Sequence, residues 1–268
     1  MLKKRLIPCL FLKNGHLVRS ERFNYHQLLG NPVQQVERIN AWSADELIYV
    51  DISDEEHYDL RRDDQKVKSM DNIYDIIRAV SKTCFIPLTF GGNVSNISDI
   101  SQRIKNGADK VIINTAAFEN PEFITEAAKT FGRQCIVVGI DVKINDNKEY
   151  EVYVGHGKRR TNIDPVSWAK EVEKRGAGEI FLNSIDRDGT AEGYDIKLIK
   201  KITESVSIPV IACGGVGIFE HFTEGIIDGG ASAVAAGNIF NFTENSVIQA
   251  KKTLMRSGVD IRPIIKIN

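Results

Sequence analysis

The feature that most constrains this chain is the alternation of short, continuously apolar runs with longer amphipathic stretches. Eight runs read as strands: Leu6–Phe11, Leu47–Ile52, Phe85–Phe90, Lys110–Asn114, Cys135–Asp141, Glu179–Asn183, Pro209–Cys213 and Ala233–Ala236. Between them lie helical patterns at Pro32–Trp42, Ile73–Ser81, Ile97–Lys105, Pro121–Thr130, Pro165–Arg175, Ile196–Ser205, Phe219–Asp228 and Asn245–Met255. Strands that are apolar on both faces belong in a parallel sheet covered by helices. Eight such units in 268 residues predict an α/β fold, a single (β/α)8 barrel. A doubly wound sheet is the alternative, but no GxGxxG opens the first helix.

An internal repeat narrows the architecture. Phe85-Ile86-Pro87-Leu88-Thr89-Phe90-Gly91-Gly92-Asn93-Val94 is similar to Ser207-Ile208-Pro209-Val210-Ile211-Ala212-Cys213-Gly214-Gly215-Val216, and Gly107-Ala108-Asp109-Lys110-Val111 to Gly230-Ala231-Ser232-Ala233-Val234. Gly91 to Gly214 and Gly107 to Gly230 are both steps of 123 residues. The third and fourth units therefore mirror the seventh and eighth, as in two fused half-barrels. No domain boundary is expected within residues 1–268, with 255–268 as a C-terminal tail.

Composition excludes several classes. Lys+Arg is 35 against Asp+Glu 36, a net charge of −1, so no global field points to nucleic acid or anionic lipid. No apolar run approaches the roughly 20 residues of a membrane span, and the N-terminus is no signal peptide. Cys9, Cys84, Cys135 and Cys213 form no CxxC and read as buried, reduced thiols of a cytoplasmic protein without a metal site or cofactor. Two segments break the rhythm. Ser53–Met70 is highly charged and reads as an exposed loop; Val142–Thr161 alternates around Asp146-Asn147 and reads as a hairpin. Both follow strand C-termini, the active face of such a barrel.

Candidate chemistry gathers at those ends. Gly91-Gly92 and Gly214-Gly215 each join a strand to a helix, where backbone N–H groups can meet an anion. Asn114-Thr115 and Gly237-Asn238 complete two symmetric cups, read as two phosphate sites or, structurally, as two tight turns. Asp141 closes the apolar run Cys135–Ile140; at an open mouth it is a candidate general acid or base, otherwise a cap. Symmetry asks for a partner carboxylate at position 11, which is Phe11. Asp186 is a candidate substrate contact, Asp188-Gly189 a turn, and Arg19 a basic lid residue or a solvated arginine. At the opposite strand ends, Arg5, Glu46, Lys110 and Glu179 can form a neutral ring around the axis or simply be solvated.

These motifs carry a resemblance. Arg5-Leu6-Ile7-Pro8-Cys9-Leu10, Ala44-Asp45-Glu46-Leu47, Gly107-Ala108-Asp109-Lys110, Val138-Gly139-Ile140-Asp141, Ser184-Ile185-Asp186-Arg187-Asp188-Gly189-Thr190 and Cys213-Gly214-Gly215 resemble the cyclase subunit of imidazole glycerol phosphate synthase (HisF type) over roughly residues 1–255. The resemblance implies a carbon–nitrogen lyase. A HisH-like glutaminase, bound near Asp45 and Asp109 in a heterodimer, would send ammonia through the Arg5/Glu46/Lys110/Glu179 gate. Ammonia would meet a phosphoribosyl substrate held at the two cups and give imidazole glycerol phosphate and aminoimidazole carboxamide ribotide. Asp141 matches one of two catalytic aspartates, and Asn114, Thr115 and Asp186 match substrate contacts. The departures are Phe11 for the other aspartate, Asn183 for a threonine, Cys213 for a serine and Asn93 for a glycine. They resemble a paralogous branch in surface-polysaccharide clusters, where the barrel is an ammonia-channelling partner for a sugar amidotransferase that makes acetamidino sugars. The related isomerase of histidine synthesis shares the barrel, and the missing first-strand carboxylate counts against it.

Overall fold

The computed structural model describes residues 3–53, 58, 70 and 72–264. The fold opens with β1 (Arg5–Lys13), β2 (His16–Glu21) and β3 (Tyr25–Gly30). It continues through α1 (Pro32–Ala41), β4 (Leu47–Asp51), α2 (Ile73–Ser81), β5 (Leu88–Gly91), α3 (Ile97–Lys105), β6 (Lys110–Ile113), α4 (Thr115–Glu119) and α5 (Glu122–Phe131). Next come β7 (Ile136–Ile144), β8 (Tyr150–Val154), β9 (Arg159–Arg160), α6 (Pro165–Arg175), β10 (Glu179–Ser184) and α7 (Ile196–Thr203). The last elements are β11 (Val210–Cys213), α8 (Glu220–Ile227), β12 (Ala233–Ala236), α9 (Ile239–Phe242) and α10 (Ser246–Arg256). All eight sequence-predicted strands form. Those drawn from Phe85 and Pro209 begin later, at Leu88 and Val210, after the prolines, which have no N–H to give the ladder.

Eight strands pair in parallel in the order β1-β4-β5-β6-β7-β10-β11-β12, and β12 returns to β1. This is a closed (β/α)8 barrel, as the alternation predicts. In each strand alternate residues face the axis. The inward set is visible as a separate cluster, with Ile7, Cys9 and Phe11 of β1, Ile48, Ile112, Val137, Phe181, Ile211, Cys213, Ala233 and Ala235. The larger core lies outside the strands, where Leu6, Leu10, Leu47, Val111, Ile180 and Val234 meet the apolar stripes of the helices.

Two hairpins rise from the C-terminal face. β7 runs on into an antiparallel pair with β8, as the alternation in 142–161 predicts. The other was read only as a segment carrying Arg19. β1 turns back into β2 through Asn14-Gly15, both with positive φ (48° and 76°), and β2 pairs with β3. Asn-Gly with left-handed φ at both positions is a strong signal for a two-residue hairpin. The charged stretch 53–70 lies outside the described residues apart from Ser53, Tyr58 and Met70. Tyr58 is buried, unlike an exposed loop residue. The tail 255–268 is described as far as 264, and Ile261 is bridged to Lys4 and buried. Cys9 and Cys213 are buried as expected, but Cys84 and Cys135 are partly exposed. Among the described residues no helix is long and apolar enough to cross a membrane, and none of their His, Cys, Asp or Glu groups could hold a metal ion.

At the N-terminal face, two aspartates brace adjacent strands. Asp45 Oδ2 accepts from Leu6 N at 2.8 Å, and Asp109 Oδ2 accepts from Leu88 N at 2.8 Å. Their surroundings differ. Asp109 is exposed, whereas Asp45 is 3% exposed and takes Lys251 Nζ of α10 at 2.7 Å. The expectation that Asp45 meets a partner protein is therefore corrected: it is a buried strut between β1, β4 and α10. Lys251 is itself 1% exposed. Removing one member of such a pair leaves a buried charge uncompensated, at about 3–5 kcal/mol. Lys251→Met is expected to lower stability by that order in urea unfolding, and Asp109→Asn to cost far less.

Candidate active site

The inward positions stack in three levels. At the bottom, Arg5 Nη1 donates to Glu46 Oε1 at 2.8 Å and to Glu179 Oε1 at 3.1 Å. Lys110 Nζ donates to Glu46 Oε2 at 3.1 Å and to Glu179 Oε1 at 2.9 Å. The four residues thus form a closed, charge-neutral ring across the barrel floor, not independent solvated ends. Burial opposes ionisation of both Arg5 and Glu46. Even so, Glu179 and Glu46 hold the Arg5 pKa up, and Arg5 and Lys110 hold that of Glu46 down. Two residues further along each strand stand Ile7, Ile48, Ile112 and Phe181, and the lumen above the ring is mostly apolar, with the buried Thr89 of β5 beside Ile48.

The top level opens into a cavity of about 1000 Å³. Phe11, Val50, Asn114, Asp141 and Asn183, from five different strand ends, line it. Asp141 sits on β7 beside Asn183 of β10 in register, and Asn114 Nδ2 donates to its Oδ2 at 2.7 Å. Burial is the larger influence and pushes the Asp141 carboxyl up to about 7; hydrogen bonds from Asn114 and Asn183 oppose it, and the Asp188 charge adds to it. A carboxyl poised near neutrality at the rim of a cavity is suited to proton transfer in either direction. Gly139, one inward step below, leaves room there: a Cβ would stand 3.2 Å from Ile112 Cγ2 and 3.3 Å from Asn114 Nδ2. Phe11, on the first strand, lines the same cavity.

The two glycine cups are unlike. Gly92, Asn93 and Thr115 line the cavity. Gly91 lies just beneath, where a Cβ would meet Ile112 Cβ at 2.8 Å. The Gly92 backbone is left-handed (φ 93°) and presses on Asp51, whose carbonyl oxygen would be 1.9 Å from a Cβ. Across the barrel, Gly215 stands against the Gly193 carbonyl in the same way, where a Cβ would collide, and Gly214 against that of Ser184. Gly237 stands against the Cys9 carbonyl. Gly214, Gly215, Gly237 and Asn238 are not among the residues lining the cavity, because the β2–β3 hairpin is fastened over that side. Asn238 Nδ2 donates to Ser20 O at 3.0 Å, Ser20 Oγ to Asp188 Oδ2 at 2.7 Å, and Arg22 N to Asp188 O at 3.0 Å.

Asp186 and Arg19 also stand elsewhere than expected. Asp186 accepts from Ile144 N at 2.7 Å and so braces the β7–β8 hairpin. Arg19 is a strand residue of β2, paired with Glu21 and lying over the Phe242 ring. Neither lines the cavity. Asp188, read as a turn residue, is the buried anchor of the β2–β3 hairpin.

Sequence reasoning missed Asp51 and Arg103, both lining the cavity. Asp51 accepts from Ser53 Oγ at 2.6 Å and Tyr58 Oη at 3.0 Å, and burial raises its pKa. Its position at the end of an apolar strand is the signal that singled out Asp141.

With this geometry in place, the comparison with known families is decisive about kinship. Residues 5–246 match the family described as histidine biosynthesis protein. The chain belongs to that family. Members of that family are histidine-pathway isomerases and cyclases, which supports an enzymatic role for the chain.

The raised pKa of Asp141 gives a signed prediction. A carboxyl that titrates near 7 when folded and near its ordinary value of about 3.9 when unfolded binds its proton more tightly in the folded state over that window. Stability is therefore lost as pH rises from about 4 to 7 and is level above. Asp141→Asn removes this loss. Its gain in melting temperature over the parent is expected to be small at pH 4, to widen up to pH 7 and to stay constant at pH 8.

Proposed function

We propose that this barrel is the synthase subunit of a glutamine-dependent amidotransferase of the imidazole glycerol phosphate synthase type. It takes ammonia at the N-terminal face and uses it at the Asp141 mouth on a phosphorylated small molecule. The observation that carries this reading is the sequence of levels along one axis. A neutral four-charge ring lies at the floor, a mostly apolar lumen above it, and a carboxyl titrating near 7 at the top. Neutral ammonia passes apolar walls that an ammonium ion does not, because burying the charge costs several kcal/mol. Opening the ring requires one of its paired side chains to swing aside, so the same four residues bar ions at rest.

A HisH-like glutaminase as the heterodimer partner fits the exposed N-terminal face, where Asp109 remains at the surface while Asp45 is internal. Asn114 and Thr115 would contact the ligand beside Asp141. Asp141 would be the proton-transfer residue of a lyase that cleaves a carbon–nitrogen bond and closes the imidazole ring.

Phe11 favours a second reading. General acid–base catalysis is typically worth about 10²–10⁴-fold, so a site with phenylalanine in place of the first-strand carboxyl runs the parental cyclisation weakly. Its physiological task would then be delivery of ammonia to a separate sugar amidotransferase that converts acetamido to acetamidino groups for surface polysaccharide. Phe11 also counts against the isomerase branch.

The ammonia-dependent cyclase assay separates the readings. Turnover of the imidazole glycerol phosphate synthase substrate is expected to be at least about 10²-fold below that of a two-carboxylate cyclase, with Phe11→Asp recovering much of the difference. Parental turnover equal to that of a two-carboxylate enzyme removes the Phe11 argument. In a pull-down from an intact extract the chain is expected to bring down a glutaminase, and Asp109→Lys to weaken that capture; absence of any glutaminase counts against both readings.

A further inference from the structure

The β2–β3 hairpin has an inner and an outer face. Phe11 of β1 pairs with Val18 of β2, and Val18 with Leu28 of β3. Residues paired across antiparallel strands point to the same side, and these three pack in the inward cluster. The next pair on that side is Ser20 and His26, and both line the cavity. Arg19 and Gln27 are paired on the outer face, where Arg19 lies over the Phe242 ring. Alternation thus turns the arginine out and the imidazole in.

The hairpin carries that imidazole from the first strand towards Asp141. Asn238, just after β12, donates from Nδ2 to Ser20 O at 3.0 Å. Asp188, beyond β10, accepts from Ser20 Oγ at 2.7 Å on its carboxylate and from Arg22 N at 3.0 Å on its carbonyl. β12 neighbours β1, and β10 neighbours β7. His26 is therefore held in a roof that spans from Phe11 to the strand beside Asp141, and its cross-strand partner Ser20 is the residue that fastens the roof. The other groups of the lining that could carry a proton stand elsewhere. Lys13 ends β1, but a lysine ammonium is a donor and no acceptor. His156 and Lys158 belong to the β8–β9 turn, tied to the β6 side by Gly155 N on Thr115 Oγ1 at 3.0 Å and by Arg159 on Glu119. Asp51 alternates with the inward Val50 and is held by Ser53 and Tyr58, and Asp99 caps α3.

We propose that His26 is the second proton-transfer group of the mouth, acting on the ligand from the β2–β3 hairpin in partnership with Asp141, in place of a carboxylate at position 11. The assignment rests on the reading of the mouth as an ammonia-using site. Addition of ammonia to a ligand carbonyl needs two such groups. The nitrogen–carbon bond forms as the carbon–oxygen π bond breaks; the nitrogen gives up one proton and the oxygen takes one. The ionised Asp141 carboxyl receives the first, and the His26 imidazolium gives the second. A proton passing back from Asp141 to His26 through water resets the pair. Imidazole suits this task because it donates and accepts a proton near neutral pH.

The full-length chain is assayed for ammonia-dependent cyclase turnover at saturating ammonia. His26→Ala is expected to lower the parent's residual turnover at least about tenfold, since general acid–base catalysis is typically worth about 10²–10⁴-fold. Added imidazole is expected to restore several-fold of that loss, which a purely structural role would not allow. In a Phe11→Asp background a carboxyl again stands on the first strand. There the same substitution is expected to cost at least about threefold less, a coupling that the double-mutant cycle reads directly. A His26→Ala protein as active as its parent, an equal loss in both backgrounds, or a loss that imidazole leaves untouched would each overturn the proposal. So would a parent without turnover beside an active Phe11→Asp protein, an outcome that leaves the amidotransferase reading standing. Absence of turnover in both proteins overturns the proposal together with that reading.

Discussion

Barrel closure is the constraint from which the rest follows. Once eight parallel strands close, every second residue of each strand must occupy a narrow axis, and its role is set by height alone. Arg5, Ile7, Cys9 and Phe11 climb that axis on β1, as Glu46, Ile48 and Val50 do on β4 and Glu179, Phe181 and Asn183 on β10. Charge is tolerated at the floor because four side chains neutralise one another, and at the top because a cavity opens there. Between them apolar residues predominate, with Thr89 of β5 as a buried polar residue among them, since an ion in that lumen would lack a partner. One geometric rule thus sorts the axis into gate, passage and mouth.

At the mouth, desolvation wins over hydrogen bonding. Two amides, those of Asn114 and Asn183, favour the ionised form of Asp141, yet the carboxyl titrates near 7. The reason is chemical. An amide brings a dipole, whereas the floor ring brings full charges, and full charges hold Glu46 low despite its burial. Replacing either amide by a cation would pin Asp141 ionised and remove its capacity to carry a proton at neutral pH. That amides rather than cations hold Asp141 is therefore part of its chemistry.

Much of this was legible in the sequence. The strand–helix alternation predicts the closed barrel, whereas a charge just before each of four apolar runs left a floor ring and solvated strand ends equally open, and the pairing across the axis decided for the ring. Asp141 stood out because a carboxylate ending an apolar strand needs a special place. Other features depended on distant residues. Asp45 precedes β4 as Asp109 precedes β6, and only Lys251, far along the chain on α10, makes one internal while the other stays exposed. Arg103 reads as the polar face of an amphipathic helix until the turn at Gly92–Asn93 folds back on it. The β2–β3 hairpin is the opposite case: Asn14-Gly15 announced it, but the polar segment that follows masked its alternation.

The internal repeat carries a further consequence. Similar Gly-Gly turns stand four barrel strands apart, and their local geometry is shared: each presses a left-handed glycine against a neighbouring carbonyl. What differs is what surrounds them. Asp188 and Asn238 spend their side chains on holding the β2–β3 hairpin down over one turn, while Arg103 holds the carbonyls of the other from behind. The same backbone turn is therefore covered by a hairpin on one side and lines the cavity on the other. Sequence similarity between the turns speaks to their common backbone; whether either receives a ligand is decided by side chains outside the repeat.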